Sequence, residues 1–257
     1  MRISVRNLLI GLVLIGLAGC QEKQLPDPND PHDVPAVKQA DVLQTNIQRM
    51  ADSMNDRVLH NQITDQQRLD YLSDEARRLL AMGDPDHSAP KDAWIYANLY
   101  ITCGEFGKAI PLLREAIQYA QSVHNDDRRV NDSFRLARAL AETGKVEDAL
   151  NTAQSVIDSN PSDPGPVLPS VLLQITPSAE GKGHDAQLAH LLEEAIHEHL
   201  RMKVDSTTIA GQAFLIAKPH LIWKAWEKIE TLLQNSGHPD QAAAARLRAK
   251  QMMQTLS

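Results

Sequence analysis

Three side chains with metal-binding chemistry recur at helical spacing along one stretch of the chain. His190, Glu194 and His197 stand four and three residues apart, so on a helix they share one face. Two imidazoles and one carboxylate are ligands that divalent transition metals accept. Arg201 continues the same polar row and places a cation beside them. The pattern is therefore more typical of a solvated helix face, and a metal-binding or enzymatic use of these residues stays as an alternative.

Recognisable catalytic motifs are absent from the sequence. It contains no G-x-S-x-G nucleophile elbow, no H-E-x-x-H pair and no glycine-rich loop followed by Lys-Ser or Lys-Thr. The short run Gly181-Lys182-Gly183 is typical of a turn rather than of a phosphate-binding loop. We therefore predict a non-catalytic protein with no catalytic residues and no bound cofactor.

The thiol of Cys20 stands where an acyl-accepting cysteine is expected. Arg2 and Arg6 precede an apolar run over residues 8–16, and Leu17-Ala18-Gly19-Cys20 ends it, which is the layout of a secretory signal peptide. The run is shorter than the ~20 residues that a membrane span needs. The block before Cys20 resembles the lipobox of bacterial lipoproteins. That resemblance implies cleavage of residues 1–19 and a diacylglycerol and an N-acyl chain, such as palmitate, on Cys20. The alternative is a free cysteine after an ordinary signal peptide or membrane anchor.

The resemblance to bacterial lipoproteins also predicts where the protein is located in the cell. A lipoprotein of this kind is exported and held at a bacterial membrane by its acyl chains. By resemblance to enteric sorting rules, Gln21 after the lipidated cysteine favours the outer membrane, facing the periplasm. In a bacterium with one membrane, the same chain would lie on the outer face of the plasma membrane.

The net charge of the predicted mature chain limits the classes of partner that it is expected to bind. The predicted signal peptide holds two of the 26 basic residues and none of the 33 acidic ones, so the mature chain has a balance of −9. Nucleic-acid binding needs clustered Lys and Arg, and we predict no nucleic-acid partner. With Cys20 acylated, Cys103 is the remaining thiol, so no internal disulfide is expected. We expect Cys103 to be a small buried apolar residue, with a bridge between two chains as the alternative.

Between the anchor and the folded part lies a proline-rich tether over residues 20–36. It combines four prolines with Asp and Asn and has little apolar mass: Pro26, Pro28, Pro31 and Pro35. Such a segment favours an extended conformation at ~3.1 Å per residue, which gives a reach of roughly 50 Å.

After the tether, helical periodicity predicts an N-terminal helical pair over residues 37–84. The first helix has an apolar face with spacings of four, three and four, formed by Leu43, Ile47, Met50 and Met54. Asp41 is a candidate N-cap with Gln44 three residues later, and Thr64 with Gln67 repeats that start signal for the second helix. Gly83-Asp84-Pro85 predicts its end.

The central part carries an internal repeat. Ala97 is followed by Gly104 and then Ala109, and Ala137 is followed by Gly144 and then Ala149, with spacings of seven and five in both copies. Small residues let antiparallel helices approach closely, and glycine accepts the backbone geometry that ends a helix. A helix-turn-helix unit is therefore predicted twice.

These positions resemble the signature of the tetratricopeptide repeat (TPR). Residues 85–257 are predicted to form TPR-like repeats at 90–123, 130–163, 166–202 (degenerate) and 223–256. The resemblance implies an all-α fold, a right-handed α-solenoid of antiparallel helix pairs with about eleven helices. Three departures stand out: Gly104 and Gly144 are 40 residues apart rather than 34, Pro111 lies within a predicted helix, and an extra helix is expected at about 207–217.

In TPR proteins the first helix of each pair lines a groove that binds partners. The matching positions here are Trp94, Asn98, Thr102, Phe134, Arg138 and Glu142. An aromatic ring, an amide and an arginine can hold an extended or helical peptide. The alternative is that these residues only pack between repeats. We therefore predict a non-catalytic, lipid-anchored cell-envelope scaffold that binds an envelope protein or peptide, and the sequence leaves its oligomeric state undetermined.

A second alternative is a lipoprotein that binds glycan or peptidoglycan fragments. Sugar binding favours exposed aromatic platforms, and aromatic residues make up 4% of the chain. Trp223 and Trp226 are three residues apart and are more typical of core anchors than of such a platform.

Overall fold

The computed structural model describes residues 36–159 and 168–254. Within these ranges the chain forms ten α-helices and a single 3-10 turn, with no β-strand. The prediction of an all-α fold is confirmed. The predicted signal peptide, Cys20 and the tether before residue 36 lie outside the described residues.

The ten helices follow one another through short connections. In chain order they are α1 Ala36–Leu59, α2 Asp65–Met82, α3 Ala93–Thr102, α4 Phe106–Ser122, α5 Asp126–Glu142, α6 Val146–Asp158, α7 Leu168–Ala179, α8 Asp185–Arg201, α9 Ile209–Asn235 and α10 Pro239–Gln254. The 3-10 turn Pro85–His87 lies between α2 and α3.

The helices stack as successive antiparallel pairs. Each odd-numbered helix packs against the even-numbered helix that follows it, and most also pack against the next odd-numbered helix: α1 on α3, α5 on α7 and α7 on α9. Along the even-numbered row, only α6 and α8 pack together to a similar extent. Apart from α3 and α5, successive helices of the odd-numbered row therefore pack together more than those of the even-numbered row. The resemblance to TPR proteins, in which the first helix of each pair lines the groove, predicts that this row is the inner side of the α-solenoid.

Local signals in the sequence account for several helix ends. The hydroxyl of Thr64 accepts a hydrogen bond from the Gln67 amide at 3.2 Å, and the Gln67 side chain accepts one from the Thr64 amide at 2.9 Å. This is the capping box predicted for α2. The prediction that Asp41 caps α1 is wrong, because α1 begins at Ala36. Ala40 is buried one residue before Asp41, so core packing already orders the chain there.

The glycines that defined the repeat lie at helix-ending turns. Gly104, Gly144 and Gly237 each have φ of +79°, a left-handed conformation that costs glycine little. After Gly104, the amide of Glu105 donates to the carbonyl of Tyr100 at 2.8 Å, which ends α3. The turns at Gly104 and Gly144, which are 40 residues apart, therefore share the same glycine conformation.

The core divides into two clusters of buried side chains. A small cluster joins α1, α2 and α3, and a large one runs through the helices from α3 to α10. The half-buried side chains of Tyr100 and Leu112 pack against both clusters. Cys103 belongs to the small cluster with 6% of its surface exposed, and burial raises the pKa of its thiol. Cys103 is thus a packed core residue, as the sequence suggested.

The C-terminal part differs from the prediction in one respect. A separate helix was expected at about residues 207–217, before a pair starting near 223, but α9 runs without a break through Pro219. A proline removes one backbone hydrogen bond and strains the preceding turn. Packing of Phe214 on one side of Pro219 and of Ile222 on the other continues the helix across it.

Across residues 36–159 and 168–254, no helix is both long enough and apolar enough to cross a bilayer.

Candidate partner-binding face

Five of the six predicted partner-binding residues are accessible on odd-numbered helices. Trp94, Asn98 and Thr102 follow each other at intervals of four on α3, and all three are half-buried. Arg138 is half-buried and Glu142 is exposed on α5. We use the term inner face for these five residues together with Gln174, which is exposed on α7.

Phe134 does not belong to this surface. Only 2% of its surface is exposed, and it packs within the large core cluster. A ring in that position stabilises the stack through apolar burial and cannot contact a partner without a local opening of the core. For Phe134 the structure therefore favours the packing role that the sequence left open.

At the N-terminal end of α5, Trp94 joins a charged network that the sequence analysis missed. The Arg128 guanidinium lies 3.6 Å from the centre of the Trp94 ring, and its Nε donates to Asp132 at 2.7 Å. Arg135 donates to the other Asp132 oxygen at 2.8 Å. Asp132 is fully buried, so the two arginines compensate a charge that would otherwise be costly. Burial lowers the pKa of Arg128, against the opposing effect of Asp132.

This network fixes the position of the Trp94 ring. Arginine over an aromatic face is a favourable cation–π contact, and here it ties α3 to α5. A cavity of about 70 Å³ beside the ring, with Tyr119 and Asn125 in its lining, can take a small side chain at most. The spacing of Arg128, Asp132 and Arg135, four and three residues, is the sequence signal that would have revealed the network.

Arg138 has unused hydrogen-bonding capacity. One terminal nitrogen donates to the Gln174 side chain at 3.3 Å, and the guanidinium lies 5.7 Å from the Phe106 ring centre. Its Nε is buried with no hydrogen-bond partner. Among the described residues, no carboxylate lies within ion-pair distance of Arg138, and this includes Glu142 one turn later. The terminal nitrogens of such a guanidinium can donate further hydrogen bonds to oxygen atoms of a partner.

The histidine helix presents a pair rather than a three-ligand cluster. His190 Nε2 lies 3.4 Å from Glu194 Oε1, and the other Glu194 oxygen accepts a hydrogen bond from Gln154 at 2.9 Å. His197 is exposed on the same helix. In the part of the chain that the structure describes, no group of three His, Cys, Asp or Glu side chains is arranged to hold a metal ion.

On the even-numbered side, a cleft of about 330 Å³ separates α8 from α10. Trp226 forms part of its floor and is 6% exposed, because the Arg248 guanidinium covers the ring at 4.6 Å. Arg248 also donates to Glu193 at 2.6 Å, which bridges the cleft. Trp223 packs against the core and lies 5.1 Å from the ring of His220. The two tryptophans therefore act as core anchors and do not form an open stacking platform.

Comparisons with known proteins identify the fold. No protein-family model matches the chain, and no curated protein sequence matches it. Among solved structures, the nearly identical TPR-like repeats of a Podosopora anserina protein described as a kinesin light chain match with a TM-score of 0.50. That match has 12% identity and covers 83% of this chain and 98% of the other. BtubC (BKLC) from P. vanneervenii matches with a TM-score of 0.48 and 14% identity, covering 84% of this chain and 92% of that one.

At these identities the likeness concerns the fold alone. Together with the stacked helix pairs described above, the Podosopora anserina match shows that the chain is a TPR-like α-solenoid.

Proposed function

We propose that this protein is a lipid-anchored, non-catalytic scaffold of the bacterial cell envelope that binds a protein or peptide on its inner face. The observation that carries the proposal is Arg138, whose half-buried guanidinium makes one long side-chain hydrogen bond, to Gln174 at 3.3 Å, and forms no ion pair with a carboxylate among the described residues. Its hydrogen-bond partner Gln174 lies on α7, and the amide of Asn98 lies on α3, the preceding odd-numbered helix of the TPR-like solenoid.

The binding mode follows from the chemistry of these side chains. Amides both donate and accept, so Asn98 and Gln174 can pair with the backbone of an extended segment. Arg138 supplies donors to a carbonyl or carboxylate of the partner. The rigid Trp94–Arg128 stack offers a flat apolar edge at one end of the face. We therefore expect a partner segment that is extended, is rich in hydrogen-bond acceptors and has an apolar residue toward the Trp94 end.

Anchoring is the second part of the proposal. Cys20 at the end of a lipobox-like segment supports acylation, and Gln21 supports the outer membrane, facing the periplasm. Two acyl chains suffice for stable attachment. Confinement at one surface raises the effective concentration of the scaffold near its partner, so a modest affinity at the inner face is enough.

Site-specific photocrosslinking in intact cells tests the inner face. A photoreactive amino acid replaces Asn98 on α3 in one strain and exposed Gln118 on α4 in a matched control strain. We expect a discrete adduct at position 98 that is absent at position 118. Adding Arg138→Ala to the first strain is expected to reduce the adduct about tenfold, the loss of one or two charge-assisted hydrogen bonds.

Two outcomes would count against the proposal. Equal adducts at positions 98 and 118 would show that the inner face is not the binding surface. If Arg138→Ala left the yield of the adduct unchanged, Arg138 would not contribute to binding, and the proposed binding mode would be wrong. Acylation is tested separately, by incorporation of an alkyne-labelled palmitate that must disappear in Cys20→Ser.

A further inference from the structure

Helix α9 is much longer than the helices beside it. Its 27 residues span about 40 Å, whereas α8 with 17 residues and α10 with 16 span about 25 Å each. α10 pairs with the C-terminal half of α9, so the N-terminal turns of α9 project beyond it. We use the term α9 tip for this projection, residues 211–219, together with the preceding connection 202–208 and Leu200 at the end of α8.

The α9 tip carries three exposed aliphatic side chains close together in the fold, and Ile216 is the most exposed large apolar side chain in the described part of the C-terminal half. Ile216 has 79% of its surface exposed, Leu200 has 51% and Leu215 has 44%. Ala213 and Ala217 are also exposed on the same turns. A contiguous apolar surface of this kind marks an interaction site more often than an isolated exposed leucine does.

The tip is held in place by specific contacts. The Lys218 ammonium donates to the Leu200 carbonyl at 3.3 Å, and the Phe214 ring packs on His199 with ring centres 4.8 Å apart. The connection lies so close to α9 that a Cβ at Gly211 would stand 1.9 Å from the Asp205 carbonyl oxygen. Leu215 and Ile216 are thus presented on an ordered helix, on the sides that Phe214 does not use.

Charge at the tip differs from that of the rest of the chain. The segment from Ser206 to Trp226 contains no Asp or Glu, although the whole chain has 33 acidic residues. Lys203 and Lys218 flank these apolar side chains in the sequence. The two nearby carboxylates are already engaged, since Glu198 pairs with Arg201 and Asp205 accepts hydrogen bonds from the amide and hydroxyl of Thr207.

We propose that the α9 tip docks on an anionic lipid bilayer surface, with Leu215 and Ile216 in the interfacial layer and Lys203 near the phosphates. Leu215 and Ile216 are exposed on successive positions of the helix, so a deformable surface can close around both side chains. Basic residues flanking aliphatic ones match the negative potential and the apolar boundary of such a bilayer. The contact orients the solenoid on the membrane, a role distinct from partner binding at the inner face.

Vesicle flotation tests the proposal without any acyl chain. Residues 21–257, which contain all the described helices, are mixed with vesicles of phosphatidylcholine alone or of phosphatidylcholine with phosphatidylglycerol. We expect flotation with the anionic vesicles only. Leu215→Gln with Ile216→Gln should reduce the bound fraction about tenfold, and Lys203→Glu should reduce it several-fold. The matched control is Leu247→Gln with Met253→Gln on α10, whose side chains are 58% and 49% exposed, and it should float like the parent protein.

The proposal fails if the parent protein does not float with anionic vesicles, or if the Leu215 and Ile216 variant floats as well as the parent. It also fails if these substitutions instead abolish self-association or the photocrosslink at position 98, because the tip would then be a protein interface. If the membrane-docking proposal fails, the inner-face proposal is unaffected, because the two concern different surfaces. Arg138→Ala is accordingly expected to have no effect on flotation.

Discussion

His199 is the most unusual side chain of the described core. It is 1% exposed, and neither ring nitrogen has a hydrogen-bond partner. Burial, together with the charge of Lys218, lowers the pKa of His199 to about 4. A buried polar group without a partner costs stability at neutral pH and makes the fold sensitive to acid.

Replacing His199 with leucine should therefore stabilise the protein, and more so in acid. The unfolded chain binds a proton near pH 6.5 and the folded chain near pH 4, so stability falls as the pH drops between these values. The full loss below about pH 4 amounts to about 3 kcal/mol. His199→Leu should remove this part of the pH dependence and add about 1 kcal/mol at pH 7. Urea denaturation at a series of pH values measures both effects.

His190→Leu is the control for this experiment, because the His190 side chain is 67% exposed on the same helix. It should keep the parent's loss of stability between pH 6.5 and pH 4, because His199 is retained. If His199→Leu kept the parent's loss of stability between pH 6.5 and pH 4, the assignment of that loss to His199 would be wrong.

Some structural properties of His199 and Phe134 could be predicted from the sequence, and others could not. His199 follows Leu188, Leu192 and Ala195 at spacings of four, three and four, so its place on the apolar face was predictable from periodicity. Its lack of partners was not, because that depends on which α9 side chains come opposite. Likewise, the pattern placed Phe134 on the binding face, and only packing against neighbouring repeats shows that it is buried.

At the scale of the elements, Gly211 permits the close approach of the 202–208 connection to α9. A Cβ there would overlap the Asp205 carbonyl oxygen at 1.9 Å and would also lie 3.0 Å from the Thr208 hydroxyl that caps the helix. Because the nearest atom belongs to the backbone, no side-chain rotation relieves the overlap.

Gly211→Ala should consequently destabilise the protein by about 1–3 kcal/mol. Gly107→Ala is the matched control, since Gly107 also lies near the start of a helix and no atom comes within 4 Å of its added Cβ. This control should be neutral or stabilising by up to about 1 kcal/mol, because alanine favours helix. Chemical denaturation of both variants gives the comparison. Equal effects of the two substitutions would show that the connection does not pack on α9 as described.

Helix boundaries were predictable where local chemistry determines them. The Thr64 and Gln67 capping box and the turns at Gly104 and Gly144 followed from residue type and spacing alone. The start of α1 and the continuity of α9 through Pro219 did not. In α1 the helix begins before the N-cap signal at Asp41, and in α9 it continues past Pro219, which would interrupt it in isolation. Both differences depend on core packing, which is not visible in one segment of sequence.

At the scale of the whole molecule, the two core clusters predict uneven stability along the solenoid. Helices α1 and α2 bury their apolar faces only in the small cluster with α3, whereas α5 to α8 contribute to the large one. Repeat arrays depend on contacts between neighbouring units, so a loss in one unit weakens its neighbours most. The N-terminal pair should therefore open at lower free energy than the centre.

Leu43→Ala and Leu172→Ala test this expectation, because both side chains are fully buried, in the small and the large cluster respectively. Each should cost about 2–5 kcal/mol in its own cluster. Native-state hydrogen exchange should show faster exchange confined to α1 and α2, with an effect on α3, in Leu43→Ala. In Leu172→Ala the faster exchange should spread across α5 to α8. If Leu43→Ala instead lowered protection equally from α1 to α10, Tyr100 and Leu112 would couple the two clusters into one cooperative unit. The inner face, which begins on α3 between the clusters, would then respond to changes at either end of the solenoid.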